Sequence, residues 1–238
     1  MGHETSVPSF TPPSGPARWA RGLLFATAVL ALVAAGSSAA QYELLGRIDG
    51  GDFSMEEANA NDSRQAGIGM VQVAFYLATA IAFLTWMHRA HKNLPSLGSR
   101  DLQYTPGWAV GGFFVPFLNL VRPLQVMREI WLGSDPAGVE RDRGADGAAA
   151  RTALGTPPLV GWWWGFFIAN GIIGNVLARM SFAPDQSVDD LQSLTSLILV
   201  SDVLEIPGAL LAAGVVGQIT RWQGERHDRA QQLGDIAA

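Results

Sequence analysis

Four blocks of about twenty mostly apolar residues constrain this chain more than any other feature. They are 22–41 (GLLFATAVLALVAAGSSAAQ), 68–87 (IGMVQVAFYLATAIAFLTWM), 159–178 (LVGWWWGFFIANGIIGNVLA) and the longer 194–220. Each is long enough, as a helix, to cross about 30 Å of hydrocarbon. Charge is squeezed between them, at 16% of the chain against about 25% in soluble domains. The uneven charge excludes a secreted soluble domain, and the lack of any stretch outside the blocks long enough to bury a core of its own argues against a soluble enzyme. A net charge of −5 gives no footprint for nucleic acid. With no cysteine there is neither a disulfide nor a thiolate metal site. The expected fold class is all-α: a polytopic membrane protein with four transmembrane helices.

A fifth apolar stretch, 107–121, is too short to span and contains Pro116 and Asn119. It reads as a re-entrant or interfacial segment, continued to residue 132 by a helix with Leu124, Met127 and Trp131 on one face against the inner surface. Sixteen basic residues fix the orientation. Only Arg47, Arg64 and Arg179 lie in the loops after the first and third spans; the other thirteen flank the opposite ends. That bias places both termini in the cytoplasm and 107–132 on the cytoplasmic side. Arginine outnumbers lysine fifteen to one, a GC-rich coding bias that points to a bacterium and its cytoplasmic membrane. The expected organisation is a disordered N-terminus over 1–16, a membrane domain over 17–222, a disordered cytoplasmic loop over 133–158 and a polar tail over 223–238 that frays after a helical start. Small residues Ser38-Ala39-Ala40 also permit reading the first block as a cleaved signal peptide; the other three spans would stand unchanged.

Several motifs have ordinary explanations. Trp162-Trp163-Trp164 reads as an interfacial anchor. Gly161/Gly165, Gly107/Gly111 and Ala209/Ala213/Gly217 read as helix-packing faces. His88 and His91 share a helix face, but no carboxylate is near in sequence and Arg89 and Lys92 would repel a cation. Neither a metal nor a cofactor is therefore expected.

Asp202 and Glu205 are different. They lie three apart within the fourth block, where an acidic residue costs about 2.5–3.5 kcal/mol to insert. Both need partners from other helices. At about 1.5 Å per residue, Asp202 and Glu205 sit about 12 and 16.5 Å from the start of their span. Asn170 and Asn175 sit about 13.5 and 6 Å from Arg179 on the preceding one. Asn170 is therefore expected to face the carboxyls, and these four residues form the candidate intramembrane polar site.

The runs FLTWMHRAHKNLPSLG (83–98), PGWAV with VPFLNLVRP (106–123), WWW (162–164) and VSDVLEI (200–206) resemble a family of uncharacterised bacterial membrane proteins, domain of unknown function 4328. The likeness in motifs covers residues 82–221. It implies four spans and no particular activity. Two functional readings follow from the residues. One is a structural or regulatory membrane protein acting through the bilayer, a second copy of itself or other membrane proteins. The other is a small channel or transporter coupled to a proton or cation through Asp202 and Glu205. An intramembrane enzyme is not expected, since the spans hold neither a serine–histidine pair nor a His-Glu-x-x-His motif.

Overall fold

The computed structural model describes residues 9–99, 101–139, 153–184 and 186–236. These are helical with no strand. Four helices are long and apolar enough to cross a membrane: α1 (Ser14–Asp49), α2 (Met55–Lys92), α5 (Pro158–Ser181) and α6 (Val188–Ile236). Between α2 and α5 lie the single turn α3 (Trp108–Gly111) and the amphipathic α4 (Arg122–Ser134).

The helix ends follow from local chemistry. At the start of α2, the Ser54 hydroxyl accepts the Glu57 N–H at 3.1 Å, and Glu56 and Glu57 meet the positive end of the helix dipole. Pro158 opens α5, where its missing N–H costs nothing. A reciprocal capping box starts α6: the Ser187 hydroxyl accepts the Asp190 N–H at 3.2 Å, and the Ser187 N–H donates back to the Asp190 carboxylate at 3.0 Å. All four long helices outrun their apolar blocks, α5 by only a few residues. α1 also passes unbroken through Ser38-Ala39-Ala40.

The chain divides into two compact units. The first comprises residues Met1–Gly22, Ala80–Gly161 and Ala212–Ala238; the second comprises Leu23–Thr79 and Trp162–Leu211.

The first unit has a close-packed core. Trp86, Met87 and Ala90 of α2, Leu94 just past its end, Val126, Met127 and Ile130 of α4, and Val215, Val216 and Ile219 of α6 are fully buried. The expected inner-surface helix is corrected here. The apolar side of α4 is buried in protein, through Val126, Met127 and Ile130, and Trp131 meets Trp222 edge-on at 4.8 Å. The apolar face is turned by about one residue from the Leu124–Met127–Trp131 line.

The polar tail is corrected as well. α6 continues to Ile236, and its last turns satisfy carbonyls where other helices end. The Gln223 amide donates to the Ala90 carbonyl at 2.8 Å and the Ser134 hydroxyl at 3.0 Å, and accepts from Asn93 at 3.0 Å. Arg226, also buried, donates to the carbonyls of Leu97 at 2.9 Å and Asp135 at 2.8 Å. The N-terminal segment joins the same cluster. Thr11 and Asn93 exchange two hydrogen bonds, at 3.2 and 2.8 Å, and Phe10 stacks on His227 at 4.1 Å. Residues 1–8 and 140–152, half of the expected disorder, lie outside the described residues. Within 133–158, Gly133 and Ser134 belong to α4 and are buried, and Asp135 caps a 3-10 turn over Pro136–Gly138.

The 107–121 stretch is broken around Pro116. α3 lasts one turn, and Phe117 (φ 64°, ψ −39°) centres a γ-turn closed by the Leu118 N–H on the Pro116 carbonyl at 2.8 Å. It leaves Phe114 and Phe117 strongly exposed.

In the second unit, small and polar side chains of α1 face its neighbours. Ala28, Ala31, Ala34, Ala35 and Ser38 are buried, at spacings that keep them on one side of the helix. Val29, Leu32 and Val33 of α1, Met70 and Val73 of α2, and Ile172 of α5 are exposed, as a lipid-facing surface requires.

Candidate functional site: an acidic cavity in the apolar unit

Polar residues in the second unit tie its helices together. Buried Thr27 of α1 and Thr79 of α2 share a hydrogen bond of 3.1 Å. Farther along the same pair, Arg64 and Gln65 donate to the hydroxyl and carbonyl of Ser37, at 3.0 and 3.1 Å. Asp202 of α6 is buried between these two levels of the ladder. Its Oδ2 accepts from the Ser38 hydroxyl at 3.3 Å, and its Oδ1 from the Gln72 amide at 2.9 Å. Its insertion cost is thus offset by donors from α1 and α2.

Glu205, one turn further along α6, is half-buried and accepts no hydrogen bond from a described residue. Both carboxyls line a cavity of about 320 Å³ whose other polar walls are Thr27, Gln72, Tyr76 and Ser201. Among the described residues, no basic side chain lines it, so the carboxyl pair meets only neutral donors there and no basic counter-charge.

Asn170 and Asn175 are placed differently from the sequence expectation. Asn170 accepts from the Ser201 hydroxyl at 3.3 Å, joining α5 to α6 beside the site without bonding either carboxyl. Asn175 is exposed and donates at 2.9 Å to the Gly171 carbonyl of its own helix. Depth matching accounts for Asn170 lying beside Ser201 but does not say which helix supplies the donors to the carboxyls. Ser38, Gln72 and Tyr76 were the missed residues. Gln72 carried a usable signal: an amide inside an apolar block needs a partner as much as a carboxyl does.

The aromatic and glycine motifs also resolve. Trp163 and Trp164 are buried, with Trp164 stacked on Phe167 at 4.9 Å, and only Trp162 is exposed as an anchor would be. A Cβ on Gly165 would meet nothing within 4 Å, so that GxxxG face is open, whereas Ala209 and Ala213 are buried. In the first unit His91 has a carboxylate partner after all. Its Nε2 lies 3.0 Å from Glu129 of α4, which the sequence separates by 38 residues. His88 is exposed and bonds the Pro106 carbonyl, so the two histidines do not converge.

The model of domain of unknown function 4328 matches residues 49–221, nearly three-quarters of the chain. This chain belongs to the DUF4328 family. The match takes in all of α2, more than the motifs alone carried, and it includes Gln72, Tyr76, Asp202 and Glu205 while leaving out nearly all of α1 with Ser38. A DUF4328 protein of this build is a membrane protein of unknown activity. No curated protein and no solved structure matches it.

Proposed function

We propose that this DUF4328 protein is a non-enzymatic protein of the bacterial cytoplasmic membrane whose acidic cavity takes up a proton or a small monovalent cation. Both termini lie in the cytoplasm in this reading, supported by the placement of thirteen of the sixteen basic residues. The observation that carries it is the cavity lined by Asp202 and Glu205 without a basic side chain. Glu205 is the group that exchanges, because Asp202 is already held by Ser38 and Gln72. The test is flux in proteoliposomes, read with a pH-sensitive dye under imposed proton, sodium and potassium gradients. Glu205→Gln is expected to abolish flux and Asp202→Asn to reduce it strongly, with both variants still folding. Undiminished flux in Glu205→Gln would refute the assignment.

A structural or regulatory role is the second reading, favoured by the open face at Gly165, where a second copy or another membrane protein could approach closely. In that case Asp202 is polar glue worth about 0.6 kcal/mol. Asp202→Asn and Glu205→Gln would then both be neutral in a strain where deletion has a phenotype.

A further inference from the structure

One face of α2 is uncovered near its C-terminal end. Ile81, Thr85, His88 and Lys92 recur at spacings of four, three and four, which puts them on a single side of the helix, and all four are exposed. With Leu84 and Arg89 they line a hollow of about 560 Å³ that belongs wholly to the first unit. Its remaining walls are fixed in place. The segment carrying Ser9 and Thr11 is held by the paired bonds between Thr11 and Asn93. Val110 comes from α3, whose approach is held by the His88 ring on the Pro106 carbonyl at 2.9 Å.

The chemistry of the hollow changes along the helix. Ile81, Leu84 and Val110 are apolar; Arg89 and Lys92, one to two turns on, are cationic, with the His88 ring beside them. No acidic side chain lines it, and neither Arg89 nor Lys92 pairs with a carboxylate among the described residues. Because a carbonyl only accepts, the His88–Pro106 bond puts a hydrogen on Nδ1 and leaves Nε2 for another partner. The change from apolar to basic falls where the apolar block of α2 ends, at Met87.

We propose that this hollow binds an anionic phospholipid, with the phosphate held by Arg89, Lys92 and His88 and the first part of an acyl chain laid along Ile81 and Leu84. The absence of a carboxylate in the lining disfavours a choline or ethanolamine headgroup, whose ammonium would meet only cations. The apolar half disfavours free phosphate, which would leave Ile81, Leu84 and Val110 facing water.

The test is native mass spectrometry of the full-length protein in detergent, titrated with phosphatidylglycerol and phosphatidylcholine of identical chains. Phosphatidylglycerol should bind at least tenfold more tightly. Each cation near an anionic lipid contributes about a fivefold factor, so Arg89→Gln/Lys92→Gln should weaken phosphatidylglycerol about thirtyfold and leave phosphatidylcholine unchanged. Thr85→Trp, which fills the hollow without altering charge, should weaken it at least tenfold. Arg18→Gln/Arg229→Gln removes two exposed cations elsewhere in the same unit and should change binding less than twofold. Lys92→Glu alters one exposed residue and serves if the double variant does not fold; it should lose at least tenfold. The proposal fails if the two lipids bind equally, if Arg89→Gln/Lys92→Gln or Thr85→Trp binds phosphatidylglycerol normally, or if the Arg18/Arg229 variant loses as much. It also fails if inorganic phosphate displaces the lipid at comparable concentration, because the site would then read an anion alone.

Discussion

Replacing Gln223 by leucine removes one buried amide of nearly unchanged size and asks what the end of α6 does for the end of α2. The Ala90 carbonyl is the sensitive partner. In a continuing helix the Leu94 N–H would bond it, but that N–H turns to the His91 carbonyl at 3.1 Å as the chain enters the Pro95–Leu97 turn. Gln223 supplies the missing donor at 2.8 Å. Stranding the carbonyl costs about 1–3 kcal/mol. The bonds to Asn93 and Ser134 contribute about 1 kcal/mol each; Asn93 keeps its bond to Thr11. Leucine in this enclosed site returns about 1 kcal/mol by burial. The net expectation is destabilisation by about 2–4 kcal/mol. Unfolding of the detergent-solubilised protein by SDS, followed by tryptophan fluorescence, reads the total. Hydrogen exchange reads the location: amides from Asn93 to Gly98 should exchange at least about thirtyfold faster. Glu225→Gln, on the exposed side of the same helix, should be near neutral. A loss below about 0.5 kcal/mol for Gln223→Leu, with unchanged exchange at 93–98, would refute the view that the tail of α6 completes α2.

Topology can be read with single cysteines, because the chain has none of its own. Exposed Asn59→Cys and Ala183→Cys should react with an impermeant thiol reagent in intact cells, and exposed Ser9→Cys and Ala137→Cys should not; labelling of Ala137→Cys from outside would invert the proposed orientation. Ser134 is unsuitable as a probe, being fully buried. At the start of α6, the Ser187 hydroxyl and then its N–H hold the Asp190 carboxyl below its ordinary range. A lowered carboxyl value contributes stability that is complete above about pH 4 and lost as pH falls through the folded value. Amide exchange at residues 188–191 should therefore accelerate below about pH 4, and Asp190→Asn should flatten that profile; an identical acid response in Asp190→Asn would show that the capping box is not its source.

What the sequence disclosed followed from local rules. Block length and hydropathy located the four long helices, and the insertion cost of a carboxyl singled out Asp202 and Glu205. What it withheld was long-range. Ser38 sits in a run of small residues that reads equally as packing or as a cleavage site, and its bond to Asp202 spans 164 positions. The partner of His91 was invisible because Glu129 lies on another helix. Periodicity does not fix the direction of the apolar side of α4, because an amphipathic helix beside a membrane can bury that side in lipid or in protein. The polar residues of the tail look solvated in one dimension, so a fraying end is what the sequence alone suggests. Gln223 and Arg226 are polar because the carbonyls they meet are.

The cluster that joins Thr11, Asn93, Gln223 and His227 combines the earliest and latest parts of the described chain. During synthesis, residues 9–11 and the end of α2 exist long before their partners near residue 225 leave the ribosome. All four apolar blocks can enter the membrane while this cluster is still open, since the last of them ends at Thr220. Insertion and completion of the first unit are thereby separated in time, and a chain that stops at 222 would be fully inserted yet unfinished.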